Sequence, residues 1–247
     1  MTRPMTPNPT PSGGEPLSLS VVIPTLNAAG TLPATLAALA TSTPGIELDV
    51  VVVDGGSTDE TLDVAQRCGV RIAHADGGRG PQLAEGARVA LGAWFLFLHA
   101  DTRPPEGWPA VVRAFAAAPA NAMRAGYFRL ALDVPTTDPA RPAARRIERL
   151  TAWRCRRMGL PYGDQGLLLS RALYEAVGGF ESVPLMEDVR LVRRIGKARL
   201  SEMPAVAVTG AARYRRDGFW RRPLKNLSLL GLHSLGVSPH LLAKLYG

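Results

Sequence analysis

Short apolar runs alternate with helical patterns through the first part of the chain. The four runs are LSLSVVIPT (17–25), ELDVVVVD (47–54), VRIAHA (70–75) and WFLFLHAD (94–101). Between them, apolar residues recur at helical spacing, which predicts the order β-α-β-α-β-α-β. Strands that are apolar on both faces and separated by helices are typical of a parallel sheet with helices on both faces. The predicted fold class is therefore α/β, with a Rossmann-like nucleotide-binding half.

Local signals predict where the three helices of this half begin. Thr31 is the expected N-cap of the first helix. Ser57 opens the sequence Ser-Thr-Asp-Glu, which has the form of a capping box for the second helix. Pro81 suits the first position of the third helix. The apolar face of that third helix is expected to hold Leu83, Ala87, Ala90 and Leu91.

The regular alternation ends after Thr102. A helix around 108–118, a strand at 125–133 and an arginine-rich helix follow. Near the end, LKNLSLLGLHSL is leucine-rich almost all around a helical wheel, so we expect it to pack against the protein rather than to lie on a membrane. Ser238 and Pro239 then begin a short terminal helix.

Composition and charge narrow the class of protein. The chain has 247 residues, of which 46% are apolar and 20% charged, as expected of a soluble globular protein. The net charge of +8 is concentrated in arginines at 145–158 and 213–225, without a recognisable nucleic-acid-binding signature. Two interpretations stay open for these clusters: a solvated helix face, or a surface for phosphorylated acceptors or anionic lipid. We expect no nucleic-acid partner.

Residues 1–16 are rich in Pro, Thr, Ser and Gly and are expected to form a disordered tail rather than a signal peptide. No run reaches the roughly 18 apolar residues of a membrane-spanning helix. Cys68 and Cys155 have neither disulfide-framework nor zinc-ligand spacing. The expected location is the cytoplasm, with at most peripheral contact at the inner membrane face, and the oligomeric state is left open.

Polar and glycine-rich residues follow each predicted strand, at what would be one rim of the sheet. The four strand ends carry Pro24-Thr25-Leu26-Asn27, Asp54-Gly55-Gly56-Ser57, Asp76-Gly77-Gly78-Arg79-Gly80 and His99-Ala100-Asp101. Any one of them alone suits a turn or a helix cap, but together they favour a ligand site for a nucleoside diphosphate. A carboxylate at the end of a buried strand needs a partner, and a divalent cation would supply one for Asp101. His99 is either a second ligand or a hydrogen-bonded residue of the rim.

Six segments in register carry a resemblance to a known family. They are VVIPTLNAAGTL, VVVDGGSTDET, GGRGPQLAEGA, FLFLHADT, GDQGLLLSRALYEAVGGF and MEDVRLVRRI. Together they resemble the family 2 glycosyltransferases of GT-A fold, over about residues 18–220. With the ending GVSPHLLAKLYG, the chain also resembles a bacterial subgroup labelled arsenosugar-biosynthesis-type glycosyltransferases.

The resemblance implies a role for each matching residue. Asp54 would accept hydrogen bonds from the nucleotide base, and Asp188 would be the catalytic base. Asp101 would bind Mg²⁺ or Mn²⁺, with His99 as a candidate second ligand. The donor site would include Pro24, Thr25, Asn27, Gly55, Arg79 and Ala100, and the sugar and acceptor pocket Asp164, Gln165 and Glu187. The implied domain, 17–247, would comprise a nucleotide-sugar-binding half (17–102), a smaller acceptor-side half (103–220) and C-terminal helices (221–247).

Three departures from the family pattern qualify these roles. His99 replaces the first acidic residue of the Asp-x-Asp motif, and Ala84 stands where many relatives have Asn. The Gln/Arg-x-x-Arg-Trp motif of processive members is missing. The missing motif predicts transfer of one sugar rather than synthesis of a polymer. With the roles that the resemblance implies, the expected activity is inverting, metal-dependent transfer from a UDP- or GDP-sugar to a small-molecule or lipid-linked acceptor. The alternatives are a weakly catalytic nucleotide-binding scaffold and a sugar-phosphate nucleotidyltransferase.

Overall fold

A computed structural model describes residues 15–41 and 43–246 of the chain. The expected tail, 1–16, falls almost entirely outside the described residues. In the first half, strands and helices alternate as the sequence predicts. The elements are β1 (Leu17–Thr25), α1 (Leu32–Leu39), β2 (Ile46–Asp54), α2 (Thr61–Arg67), β3 (Arg71–His74), α3 (Arg79–Val89) and β4 (Trp94–Phe97).

The second half adds the remaining strands and helices. They are β5 (Thr102–Arg103), α4 (Trp108–Ala117), β6 (Ala125–Leu132), α5 (Arg141–Met158), β7 (Leu167–Ser170), α6 (Arg171–Ala176), α7 (Glu187–Ile195), β8 (Leu200–Thr209), α8 (Ala212–Asp217), α9 (Arg221–Ser234) and α10 (Pro239–Tyr246). All strands join one sheet in the order β3-β2-β1-β4-β7-β6-β8-β5. The first four are mutually parallel, and β7 enters antiparallel to both β4 and β6. The predicted α/β class with a mostly parallel sheet is confirmed.

Two apolar cores cover opposite faces of the sheet. Along β1, Val21 and Ile23 enter the core that holds α1 and α4, whereas Val22 enters the core that holds α3 and α7. This alternation follows from the two-residue period of a strand. It explains why the first and fourth runs are apolar almost throughout, since β1 and β4 are buried on both faces. The expectation is wrong for β3, which is an edge strand and is largely exposed.

Helix α3 lies unusually close to the sheet. A Cβ atom at Gly86 would lie 2.2 Å from Val22 Cγ1, so only glycine allows this approach. One turn earlier, the buried Gln82 side chain donates from Nε2 to the carbonyl oxygens of Thr25 (2.7 Å) and Val53 (2.9 Å). Helix α3 therefore fixes the carboxyl ends of β1 and β2 relative to each other.

Toward the amino ends of the parallel strands, Asp49 organises a small polar network. Its Oδ2 atom accepts hydrogen bonds from Ser20 Oγ (2.6 Å) and from the Leu91 amide (3.0 Å), and Arg71 donates to both carboxylate oxygens. Burial alone would raise the pKa of Asp49, but these hydrogen bonds hold it below its usual value. The network ties β1, β2 and β3 to the turn before β4.

Several predicted helix boundaries are wrong. Helix α2 begins at Thr61, because the Ser57 hydroxyl donates to Asp54 instead of capping and Asp59 accepts from the Thr61 amide. Helix α3 begins at Arg79, two residues before Pro81. Leu91 lies beyond its end and is 72% exposed, since its amide is held by Asp49.

The prediction that the C-terminal leucine-rich helix packs against the protein holds for only part of its surface. Helix α9 buries Leu229 and Leu230 but leaves Leu224, Leu227 and Leu232 exposed. Within the described ranges, none of the helices has the length and apolar character needed to cross a membrane.

Candidate active site

A cleft of about 780 Å³ lies at the carboxyl ends of the parallel strands. One wall comes from the loops after β1 and β4 and from the start of α3, and it contains Pro24, Thr25, Asn27, Ala100, Asp101 and Arg79. The other wall comes from α8 and α9 and contains Arg213, Arg216, Arg221, Arg222 and Lys225. This rim is where open α/β sheets bind ligands, and its second wall is strongly basic.

A smaller cavity of about 100 Å³ adjoins the cleft on the side of the second half. It shares Arg79, His99, Asp101 and Arg213 with the cleft. It adds the carboxylates Asp164 and Asp188. Asp101 and Asp188, for which the resemblance implies metal binding and base catalysis, therefore border one cavity although they are far apart in the chain.

Asp54, the expected partner of the nucleotide base, lies behind the cleft wall and is 1% exposed. Its Oδ1 accepts from Thr25 Oγ1 (3.1 Å) and Ser57 Oγ (2.5 Å), and its Oδ2 accepts from the amides of Gly56 (2.9 Å) and Ser57 (2.8 Å). Burial opposes ionisation, but these donors lower the pKa of Asp54 below its usual value. The carboxylate thus holds the loop that presents Thr25 to the cleft.

Asn27 has the left-handed backbone conformation, with φ of 50°. Its Oδ1 atom accepts from the Thr58 amide (2.9 Å), and its own amide donates to Ser57 Oγ (2.9 Å). Gly55 lies against Gln82, since a Cβ atom there would be 2.8 Å from Nε2. The loops after β1 and β2 therefore form one hydrogen-bonded unit.

Arg79 and Glu187 connect the two halves at the site. Arg79 Nε lies 3.1 Å from Glu187 Oε1, and the Glu187 side chain is 1% exposed. Burial raises the pKa of Glu187 to about 7 against the opposing effect of Arg79, and Asp188 adds to the rise. Beside this pair, a Cβ atom at Gly80 would lie 2.3 Å from the Val183 carbonyl oxygen, so the loop before α7 packs on the start of α3.

Asp188 is the second residue of α7 and is half-buried. Its Oδ2 atom accepts from the Gly163 amide (3.1 Å) and its Oδ1 from the Val189 amide (2.7 Å). Each carboxylate oxygen can accept a second hydrogen bond. Asp188 is therefore held in place while its carboxylate borders the cavity.

Asp164 and Gln165 both lie in the 3₁₀ turn Gly163–Gln165 but differ in orientation. Asp164 lines the small cavity, and its buried Oδ1 has no hydrogen-bond partner among the described residues. Burial raises the pKa of Asp164 to about 6 against the effect of Arg154, and Asp188 and Asp101 raise it further. Gln165 instead points inward and donates to the Phe128 carbonyl oxygen (3.1 Å), so its side chain lines neither cavity.

His99 lies between the cleft and the cavity. Its Nε2 atom is 3.4 Å from Arg79 Nη1, and a Cβ atom at Gly163 would lie 2.4 Å from the same nitrogen. Burial lowers the pKa of His99 well below its usual range, and Arg79 and Arg213 lower it further. The imidazole is therefore neutral and is available as a ligand or acceptor.

The residues present fit a divalent cation that a diphosphate would help to bind. No group of three or more His, Cys, Asp or Glu side chains in the described ranges is arranged to hold a metal ion. However, Asp101 and the neutral His99 border the cleft together, and the unpaired Asp164 oxygen adds negative charge nearby. Such a cation would need oxygen ligands from the substrate and from water, as Mg²⁺ usually does.

Sequence reasoning did not assign roles to Arg213, Arg222 or Tyr162. Both arginines border the cleft and the small cavity, and Tyr162 borders the cavity with the Arg154 guanidinium 3.5 Å from its ring centre. The arginine cluster at 213–225 was the available signal. It indicated charge but not which side chains face inward.

The sheet order and the cleft at its carboxyl edge define an α/β protein of the GT-A glycosyltransferase fold. The model of the family described as "Glycosyl transferase family 2" matches residues 20–166, more than half of the chain, and the chain belongs to this family. Relatives named PGL/p-HBAD biosynthesis glycosyltransferase, from Mycobacterium bovis and Mycobacterium tuberculosis, are 47% identical over 89 residues. That match covers 33% of this chain and 34% of each relative, so it spans about a third of their length.

Solved structures share the fold at low sequence identity. Staphylococcus aureus TarS 1-349 in complex with UDP-GlcNAc has a TM-score of 0.57 and 16% identity, covering 78% of this chain and 58% of that one. Mycobacterium tuberculosis glucosyl-3-phosphoglycerate synthase with Mn²⁺, UDP-glucose and phosphoglyceric acid has a TM-score of 0.52 and 19% identity, covering 78% and 70%. The predicted family and fold are thereby confirmed.

Proposed function

We propose that this protein transfers one sugar from a nucleotide-sugar donor to an acceptor hydroxyl, with inversion and with help from a divalent cation. The observation that carries the proposal is that Asp101 and Asp188 border the same cavity, next to a cleft with a basic wall. Inverting transfer needs a carboxylate to take a proton and positive charge to hold the departing diphosphate. Both requirements have candidates here within one site.

The donor would occupy the larger cleft. Its base and ribose would lie against Pro24, Thr25 and Asn27, with Asp54 acting through the loop it holds, while Arg213 and Arg222 would face the diphosphate. TarS has been solved with UDP-GlcNAc, and the synthase from M. tuberculosis with UDP-glucose; these complexes support a UDP-sugar as the first donor to test.

Asp101, with His99, would hold Mg²⁺ or Mn²⁺ against the diphosphate. When bound, the cation would neutralise the charge that develops on the leaving diphosphate. The neutral state of His99 suits this role, because a protonated imidazole cannot bind a metal. Gly163, whose amide holds Asp188, also keeps the space beside the His99 ring open.

Asp188 would act as the catalytic base. One of its carboxylate oxygens would take the proton of the acceptor hydroxyl. In the same step the hydroxyl oxygen would bond to the anomeric carbon of the donor sugar, and the bond between that carbon and the diphosphate would break. The hydrogen bond from Gly163 fixes the carboxylate for this step. Asp164 would border the sugar, and Glu187 and Gln165 would be positioning residues behind the pocket.

The acceptor side would be formed by residues 103–220, with residues 17–102 holding the donor and 221–247 closing the cleft. The acceptor class, as the family resemblance implies it, would be a small molecule or a lipid-linked hydroxyl; the relatives named for PGL/p-HBAD biosynthesis support sugar transfer as the reaction to test. The missing processive motif favours transfer of a single sugar.

A donor panel tests the proposal. Purified protein with Mn²⁺ is expected to bind, or slowly hydrolyse, at least one of a set of UDP- and GDP-sugars. Asp188→Asn should retain donor binding and lose transfer, while Asp63→Asn, an exposed aspartate on α2, should retain both. Folded protein that binds none of the donors, or an Asp188→Asn variant that transfers sugar normally, would contradict the proposal.

A further inference from the structure

Helix α9 has two opposite faces. Arg222, Lys225, Asn226 and Leu229 face the cleft or the small cavity. An α-helix has 3.6 residues per turn, so Trp220, Leu224 and Leu227 lie on the side opposite to these residues. These three side chains are 64%, 60% and 63% exposed. An exposed apolar stripe therefore runs along the outside of the helix that closes the cleft.

The stripe continues onto α5. The Arg146 guanidinium lies over the Trp220 ring, 3.3 Å from its centre, and joins the two helices. On the same side of α5 as Arg146, Leu150 and Trp153 follow at helical spacing, and both are 54% exposed. We call Leu150, Trp153, Trp220, Leu224 and Leu227 the outer patch. Exposed apolar surface of this kind marks an interaction site.

A basic cavity borders the outer patch. It has a volume of about 520 Å³, and its charged lining residues are Arg141, Arg145, Arg146, Arg149 and Asp138. Asp138 is paired with Arg215 (2.6 Å), and Arg141 is paired through Nη1 with Glu148 (2.9 Å). Arg146 Nη2 and Arg141 Nε are buried and have no hydrogen-bond partner among the described residues. Buried guanidinium donors without acceptors are costly, and a phosphate group is a good acceptor for them.

We propose that the outer patch docks on an anionic lipid bilayer, with lipid phosphates in the cavity lined by Arg141, Arg145, Arg146 and Arg149. Tryptophan, leucine and arginine together are typical of helices that lie in the membrane interface. The bilayer would cover the apolar side chains, and its phosphates would satisfy the arginines. This proposal does not depend on the sugar-transfer reaction.

Charge favours a bilayer over the other occupants of the patch. Helix α5 contains seven arginines and one acidic residue, Glu148, and residues 212–246 contain seven Lys or Arg and one acidic residue, Asp217. A second copy of the chain would bring two such surfaces together and would be repelled. Residues 1–14 contain only Met1 and Met5 as large apolar side chains, so their composition does not match the stripe.

Vesicle flotation with the purified full chain tests the proposal. Vesicles of phosphatidylcholine with about one third phosphatidylglycerol should bind the protein, neutral vesicles should bind it much less, and added salt should weaken binding. Leu224→Gln/Leu227→Gln should bind about tenfold more weakly or worse, because two insertable side chains are lost. The matched control Ile72→Gln/Leu91→Gln, which changes exposed apolar residues in β3 and in the turn before β4, should bind like the unchanged protein.

A charge variant and a size measurement complete the test. Arg149→Gln should lose part of the preference for anionic vesicles, whereas Arg67→Gln, an exposed arginine on α2, should keep it. Circular dichroism and donor hydrolysis of the leucine variant should match those of the unchanged protein. The proposal would be overturned if Leu224→Gln/Leu227→Gln and Ile72→Gln/Leu91→Gln bound the vesicles equally. It would also be overturned if light scattering showed a dimer that only Leu224→Gln/Leu227→Gln abolishes.

Discussion

Arg79 Nε and Glu187 Oε1 lie 3.1 Å apart and form the ion pair that links α3 of the first half of the chain to α7 of the second half. Glu187 is the more deeply buried of the two, and its neighbour Asp188 is the proposed base. The pair thus connects the start of the helix beside the cleft to the carboxylate that would take the proton. Its protonation state affects how firmly the two halves are joined.

Glu187 should make the stability of the protein depend on pH. Its pKa is raised from 4.5 to about 7 in the folded state, because burial outweighs the attraction of Arg79. A carboxyl group whose pKa is higher in the folded than in the unfolded protein makes its full contribution to stability at pH values below its unfolded pKa. That contribution is lost as the pH rises through its folded pKa. Between pH 4.5 and about 7, Glu187 should therefore lower the free energy of unfolding, by a few kcal/mol at most.

Urea denaturation across this pH range measures the effect. Glu187→Gln should show a flatter dependence on pH than the unchanged protein, since glutamine does not ionise. Glu175→Gln, which alters an acidic residue on α6, provides the control and should leave the dependence unchanged. Identical slopes in the Glu187→Gln variant and the unchanged protein would show that this carboxyl has an ordinary pKa.

The sequence predicted β1 and β4 because these central strands are buried on both faces, and it also predicted β3, although that edge strand is largely exposed. An apolar run such as 94–97 has no alternative to a central strand in this fold. Helix boundaries were predicted less well. At the start of α2, the Ser57 hydroxyl binds Asp54 instead of capping the helix. After the end of α3, the Leu91 amide binds Asp49, a residue distant in the chain, and a short-range pattern does not contain such a contact.

The candidate site could be predicted only in part. The resemblance indicated Asp101 and Asp188, which do border one cavity. It also indicated Asp54 for the nucleotide base and Gln165 for the sugar and acceptor pocket; both side chains point into the protein, where backbone groups and, for Asp54, hydroxyls hold them. The inward-facing Arg213 comes from a helix whose position depends on tertiary packing, which a charge cluster in the sequence does not fix.

Metal dependence should be traceable to Asp101. In isothermal titrations of the donor identified from the panel, Mn²⁺ is expected to tighten binding by about tenfold or more, since the cation shares the diphosphate charge. Asp101→Asn should remove this gain and keep the weaker metal-free binding, and His99→Gln should reduce it by less. Full Mn²⁺ enhancement in Asp101→Asn would remove that residue from the metal site.

Gln82 should contribute to stability and to donor binding at the same time. Its Nε2 atom donates to the Thr25 and Val53 carbonyl oxygens, so Gln82→Leu leaves two buried acceptors without a donor and should cost about 1–3 kcal/mol. Donor affinity should fall as well, because Thr25 lines the cleft. Chemical denaturation measures the loss of stability, and donor titration measures the loss of affinity. Gln66→Leu, which changes an exposed glutamine on α2, is the control. If Gln82→Leu kept full donor affinity, Thr25 would not contribute to donor binding.

Asp49 should matter for stability only when it is ionised. Its hydrogen bonds lower its pKa below the usual 3.8, so the stabilisation is present above the unfolded pKa and is lost as the pH falls through the folded value. Asp49→Asn should therefore destabilise the protein by about 1–3 kcal/mol at neutral pH, because Ser20, Arg71 and the Leu91 amide lose a charged acceptor. The difference from the unchanged protein should shrink as the pH is lowered below about 4. Urea denaturation at neutral and acidic pH, with Asp63→Asn as control, measures both; a difference that stays constant with pH would mean that packing, rather than charge, holds the network together.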